Sequence, residues 1–307
     1  MTDVNITDIE YPANTKSEHD LISRRLVMND LPTNKQAIIY KGKFINTFSL
    51  NYTVVAHEDL YSVAEKLASK IGLTAQNTKA DKKQRWWKQA DFGTAELSET
   101  GGQMIATFLD DNAGVDVTGD GDWVRAGVTI KGSIDGSSST KVIPSTERKF
   151  CFNRMYHLAG AGEVENEAIR SLNAEIQKDE QALILMKSRW NHTKSFKIED
   201  FAESIKNCMT YSRAILEKYQ DFKNHKVTQA MAFDIHESLG KRFAKQLDWL
   251  EVNKEEVKVE NIDKWKAFND ITQKLTHGDF TKSMDSILWR YKEVDRIFME
   301  EQTPLVV

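Results

Sequence analysis

Breakers of regular structure are unevenly distributed along this chain, and that asymmetry limits its folds more than any single motif. Between Gly162 and Pro304 there is no proline, and glycine occurs only at Gly240 and Gly278. Proline removes a backbone donor and clashes inside a helix, and glycine has the largest entropic cost of ordering. A stretch of about 140 residues almost free of both reads as helical. The first half holds most of the glycines, β-branched residues and turn signals. Strands first and helices after is the order of an α+β chain. The expected fold is therefore α+β, an N-terminal mixed sheet-and-helix unit followed by a mainly helical C-terminal half. The expected divisions are an acidic lead-in arm over 1–35, a mixed α/β core over 36–156, a helical region over 157–300 and a tail over 301–307.

Local patterns fill in this outline. Ala37–Tyr40 and Phe48–Val55 read as strands. Leu60, Val63, Ala64, Leu67 and Ile71 recur at helical spacing over Glu58–Ile71, with Gly72 at the C-cap position. Gln103–Leu109 reads as a strand, Asp110–Asp122 as a polar interstrand loop, and Trp123–Ile143 as a hairpin. That hairpin turns at Asp135-Gly136, a pair favoured where both central residues take positive φ. Five apolar stripes follow: Ile169–Trp190, Phe201–Phe222, Met231–Leu250, Trp265–Leu275 with Asn261 as N-cap, and Met284–Phe298. The first two keep an a/d grid regular enough to suggest packing between subunits, so a homo-oligomer is expected.

Composition removes several function classes. The net charge is −4, and the halves are balanced: 18 Lys+Arg against 20 Asp+Glu before residue 151, and 24 against 26 after it. With no global basic field, nucleic-acid binding requires a local patch. Cys151 and Cys208 have no CxxC spacing, which argues against a disulfide scaffold or a cysteine zinc site. No apolar run approaches membrane-spanning length, and the N-terminus lacks the apolar region of a secretory signal. A cytoplasmic protein with no membrane partner is expected.

Motif searches are mostly negative. Asp116, Thr118, Asp120 and Gly121 imitate the first half of an EF-hand loop, but Gly127 stands where the bidentate Glu belongs. No phosphate-binding, nucleophile-elbow or zinc-protease motif occurs. Cys151 and His157 are close enough in sequence to meet, without further ligand spacing. No metal, cofactor or catalytic residue is expected.

Two basic clusters remain. Lys79–Lys88, KADKKQRWWK, has five cations, one anion and adjacent tryptophans. Cations hold phosphates and indoles stack on unpaired bases. Adjacent strand residues face opposite ways, so one of Trp86 and Trp87 can be core and the other exposed. Arg148, Lys149 and Arg154 form a second cluster beside the hairpin. The candidate nucleic-acid-binding set is Lys82, Lys83, Arg85, Trp86, Trp87, Arg148, Lys149 and Arg154. Each cluster also reads as ordinary solvated surface.

Four blocks carry a family resemblance: Asn51–Gly72 (NYTVVAHEDLYSVAEKLASKIG), Val128–Met155 (VTIKGSIDGSSSTKVIPSTERKFCFNRM), Trp190–Phe196 (WNHTKSF) and Trp265–His277 (WKAFNDITQKLTH). In this order, over roughly residues 45–280, they resemble the phage/plasmid-like protein family. That family is largely a domain of unknown function in phages, plasmids and archaea. The matching positions are Ser133, Asp135, Gly136, Ser137, Arg148, Cys151 and Asn153, then His192, Thr193, Lys194, Thr276 and His277. Lys149 and Phe150 depart from it, since apolar residues are commoner there. The resemblance implies an accessory replication or recombination gene of a mobile element and supplies no catalytic residues. By fold-level analogy it also points to ring-forming single-strand annealing proteins.

Two functions compete. One is a non-enzymatic single-stranded DNA-binding or annealing accessory, acting as an oligomer without a cofactor. The other is an assembly or regulatory protein that binds partner proteins through its helical half. A third, metal-dependent nuclease chemistry on Asp110, Asp111, Asp116, Asp120 and Asp122, would need a more rigid frame than a loop.

Overall fold

The computed structural model describes residues 4–6, 21–28, 31–50, 54–76, 87–149, 154–157, 162–164, 198–253, 256–277 and 284–299. The fold is α+β. Two antiparallel sheets and one helix come first, and a set of helices with one small hairpin follows.

The N-terminal sheet has four strands in sequence order: β1 (Val4–Ile6), β2 (Leu21–Met28), β3 (Leu31–Tyr40) and β4 (Lys43–Ser49). Residues expected as an acidic arm thus supply two of its strands and the start of a third. The register gives the reason: β2 finds β3 as its partner, with Leu21 opposite Tyr40 and Ser23 opposite Ile38, which lie buried on the inner face. β3 and β4 join through Lys41-Gly42, whose φ angles are 48° and 74°. This is the two-residue turn with positive φ at both centres.

Helix α1 (His57–Lys70) buries Leu60, Tyr61, Val63, Ala64 and Ala68, and Gly72 follows its C-cap in the left-handed region. The large sheet then forms from β5 (Thr74–Ala75), β6 (Trp87–Gln89), β7 (Glu96–Ser98), β8 (Gln103–Asp116), β9 (Trp123–Ser133), β10 (Thr140–Arg148), β11 (Arg154–Tyr156) and β12 (Gly162–Val164). Its order is β11-β10-β9-β8-β7-β6, with β12 also on β10 and β5 also on β8.

Two expectations change here. The acidic stretch from Asp110 is strand as far as Asp116, with a register shift between Leu109 and Gly114; only 117–122 turns back. Its acids serve as acceptors for backbone N–H groups. Asp110 Oδ1 accepts from Asn112 and Ala113 at 2.9 and 3.1 Å, and Asp116 accepts from Gly119 and Gly121 at 2.9 and 2.8 Å. The β9–β10 connection is also longer than a two-residue turn, and only Gly136 in it has positive φ.

One face of β8–β10, with Met104, Ala106, Phe108, Val124, Ala126, Val128, Ile130 and Val142, is apolar and packs under α1 and α2 (Ile198–Phe222). From α2, the Ser212 hydroxyl donates to the Gly127 carbonyl at 2.7 Å. The remaining elements are α3 (Gln229–Leu239), α4 (Lys241–Ala244), the hairpin β13 (Leu250–Val252) with β14 (Val257–Val259), α5 (Lys264–His277) and α6 (Met284–Met299). The stripe over Met231–Leu250 is therefore not one helix. Gly240, at φ 87°, ends α3, and a single turn of helix leads into the hairpin. Asp263 rather than Asn261 caps α5, accepting from the Lys266 N–H at 2.7 Å. The stripe Ile169–Trp190 lies outside the described residues.

One apolar core runs without a break from Leu60 in α1 through the sheet to Phe298 in α6, so no packing boundary falls at residue 156. A second, small cluster of Ile38, Tyr40, Val54 and Ile134 holds the N-terminal sheet. That sheet rests on the β9–β10 turn: Asn46 Nδ2 donates to the Asp135 carbonyl at 2.8 Å. A Cβ on Gly136 would lie 2.3 Å from Phe48, so this close approach requires glycine.

Candidate functional site

Lys82, Lys83, Arg85 and Trp86 lie outside the described residues, as does Cys151. Of the other four members of the nucleic-acid set, Trp87 and Arg154 are buried and Lys149 is exposed. Trp87 is buried on β6, so its indole is not a stacking platform. Lys88, next to it, is exposed. Arg148 pairs with Asp122, and Lys149 is exposed. Arg154 is only 8% exposed and points into the sheet. Trp87 pairs through β7 with the start of β8, and Arg148 lies across β9 from its far end.

Arg154 belongs to a chain of alternating charges on the polar face of the large sheet. Asp111 Oδ1 accepts from Arg125 Nη1 at 2.7 Å, and Glu147 Oε1 accepts from Arg125 Nη2 at 3.1 Å. Arg154 Nε donates to Glu147 Oε2 at 3.0 Å and its Nη1 to Glu96 Oε1 at 3.3 Å. The five residues come from β8, β9, β10, β11 and β7 in turn. Three strands lie between β11 and β7 in the sheet, yet their side chains meet, so the sheet curls round on itself. Burial opposes the Arg154 charge, but Glu96 and Glu147 outweigh it and hold the guanidinium above its ordinary pKa. Beside this chain, Thr107 and Thr129 hydroxyls meet at 2.9 Å and Thr129 donates to Ser145 at 3.1 Å, all three buried. The missed residues are Glu96 and Glu147. The available signal was weak: Glu147 follows the β-branched run of β10, and Glu96 opens a strand of three residues.

A second buried cluster joins sheet to helices. His157 Nδ1 meets Asp295 Oδ1 at 2.9 Å, and its Nε2 meets Tyr219 Oη at 3.1 Å and Thr146 Oγ1 at 3.2 Å. Carboxylate, imidazole and hydroxyl in line can activate a nucleophile. Here the imidazole is 1% exposed and the two hydroxyls bond each other at 3.0 Å, which leaves a substrate no approach. Burial pushes the Tyr219 hydroxyl well above its ordinary pKa, so it stays protonated. The cluster fastens α2 and α6 to β10. Both ring nitrogens of His157 are thus engaged within the cluster.

The surface is more informative. Ile22, Ile39 and Phe44 face each other across β2, β3 and β4 in register, on the side away from the small core cluster. Ile22 is 43% exposed and Phe44 63%. Trp123 is 43% exposed at the start of β9, where its carbonyl accepts from the Lys149 N–H at 2.8 Å. Phe233 on α3 and Trp289 on α6 are also more than half exposed. Among the described residues no three His, Cys, Asp or Glu side chains are grouped to hold a metal, and no helix is long and apolar enough to cross a membrane. Compared with protein-family models, with curated proteins and with solved structures, the chain matches none.

Proposed function

We propose that this protein works by assembly, with the outer face of its N-terminal sheet binding a second copy of the chain. The observation that carries this reading is the row Ile22–Ile39–Phe44, three large apolar side chains in register across three strands, with Ile22 and Phe44 exposed and Ile39 half-buried between them. Contiguous apolar surface of this kind marks interaction sites. Two such faces related by a two-fold axis would be self-complementary. The exposed Phe233 and Trp289 offer the helical half as a surface for other partners. Light scattering tests the reading. The wild type should exceed the 35.1 kDa of one chain, and Ile22→Asp with Phe44→Asp should return it to that mass. A wild type that stays monomeric across a wide concentration range overturns it.

Single-stranded DNA binding is the second reading, favoured by a specific observation. Trp123 presents an open indole beside Lys149, and Lys88 is exposed at the end of the Lys79–Lys88 segment. Fluorescence anisotropy with a labelled oligonucleotide should then show salt-sensitive binding, weakened in Trp123→Ala by about 1–3 kcal/mol if a base stacks there. An annealing accessory of a mobile element would need both properties.

A further inference from the structure

His57 is the first residue of α1, and four segments meet around it. Its Nε2–H donates to the Gly101 carbonyl in the β7–β8 turn at 3.0 Å. The Tyr40 ring from β3 stands edge-on to it, with centroids 5.5 Å apart. Its Nδ1 is buried and has no hydrogen-bond partner; it faces bare backbone at Gly132 in β9, where a Cβ would come within 3.4 Å. The fourth segment is the β9–β10 turn, where the N–H groups of Ile134 and Asp135 donate to the Gly102 carbonyl at 2.8 and 3.3 Å.

The same place holds the N-terminal sheet to the rest of the molecule. Tyr40 donates to Glu58 Oε1 at 2.7 Å, Lys41 lies 3.9 Å from that carboxylate and pairs with Asp91, and Asn46 and Phe48 sit on the Asp135-Gly136 turn. The apolar cluster behind these contacts is small and separate from the main core. Among the described residues four buried ones form this cluster, and Leu97 packs against both it and the main core.

We propose that mild acid opens this junction, releasing the N-terminal sheet while the large sheet and helices stay folded, with His57 as the group that takes the proton. A proton on Nδ1 would add a donor with no acceptor, in an apolar site, at the positive end of a helix dipole. Among the charged neighbours Asp135 attracts the charge and Lys41 repels it; Tyr40 and Lys41 engage Glu58 Oε1, its buried Oε2 makes no hydrogen bond to the ring, and Tyr40 is a neutral ring. Burial is the main cause of a folded-state pKa of about 4 against an ordinary 6.5. The sign follows: stability from the neutral ring is complete above pH 6.5 and drains away as pH falls towards 4. Between pH 7 and 5, where most carboxylates stay ionised, the opening equilibrium should rise roughly 20- to 30-fold. This inference does not rest on the assembly reading.

Hydrogen exchange on the full chain at pH 7 and pH 5, corrected for the intrinsic exchange rate, tests it. Peptides over β2–β4 should lose protection by about 20-fold while those over β8 and β9 hold theirs. His57→Gln keeps a donor for Gly101 and cannot charge, so its β2–β4 protection should not change with pH. His157→Gln should behave as wild type. Equal loss in both sheets, an unchanged wild type, or a pH response that survives in His57→Gln overturns the proposal. If His57→Gln does not fold, the wild-type ring proton titration decides by NMR: a His57 midpoint near 4 supports the junction, and one at or above 6.5 overturns it.

Discussion

The inside of the large sheet and the inside of the helical half are both buried, but different forces hold them. Around α5 the core is aromatic and apolar. Tyr219, Phe222, Trp265, Phe268 and Phe298 stand at ring distances of 5.1 to 6.4 Å, tilted, stacked or edge-to-face. The polar face of the sheet instead carries Glu96, Thr107, Thr129, Ser145, Glu147 and Arg154. Apolar contact is non-directional and tolerates repacking, whereas ion pairs and hydroxyl chains demand geometry. The difference teaches that curling a sheet onto itself is specified here by directional bonds, and docking helices on its other face by burial.

Removing one member from each interior should break the comparison most visibly. Arg154→Ala leaves Glu147 and Glu96 buried without their shared cation and should cost about 3–5 kcal/mol. Phe268→Ala opens a cavity and should cost about 3–5 kcal/mol as well. Denaturant melts give both numbers. What separates them is rescue. Combining Arg154→Met with Glu147→Met and Glu96→Leu should recover most of the loss, because a dry interior no longer holds an unpaired charge. No polar substitution should rescue Phe268→Ala. Failure of the triple variant to recover would show that directional bonds are needed for the curl itself.

Asp122 ties the large sheet to α5, taking a bond from Arg148 on one oxygen and from Trp265 Nε1 on the other at 3.0 Å. Asp122→Ala should cost about 2 kcal/mol, between the charged and the apolar case, and should weaken the attachment of α5. The smallest effect belongs to Asp263→Ala, which removes only a helix cap and should cost about 1 kcal/mol. Circular dichroism should then show the thermal midpoint lowered with no change in native signal.

How much of this could be read from the sequence follows from the same contrast. The amphipathic helices α1, α2, α5 and α6 were legible because apolar burial leaves a 3.6-residue period. Where burial is polar, the period is silent. Arg148 and Arg154 look alike in sequence, yet one reaches outward to Asp122 and the other inward to Glu147 and Glu96. The Asp110–Asp116 stretch looked like loop because its acids serve backbone N–H groups inside a strand. Strands β1 and β2 were hidden because β1 is three residues long and Ser23-Arg24-Arg25 interrupts the apolar positions of β2, so neither shows a two-residue alternation. Trp123 escaped notice as a lone tryptophan, while the adjacent pair drew attention and put at least one ring, Trp87, in the core.

The seat of the N-terminal sheet also has a consequence in time. Asn46 and the Asp135 carbonyl that receives its bond are 89 residues apart in the chain. At ribosomal speeds of about 5–20 residues per second, the first four strands emerge roughly 5–20 s before the turn they rest on. During that interval the sheet lacks its seat, and α1, which follows β4 within about 1–4 s, has no large sheet to pack against. A nascent chain of this protein is most vulnerable to mispairing with its neighbours at that stage, and slower translation between β4 and β9 would lengthen the exposure.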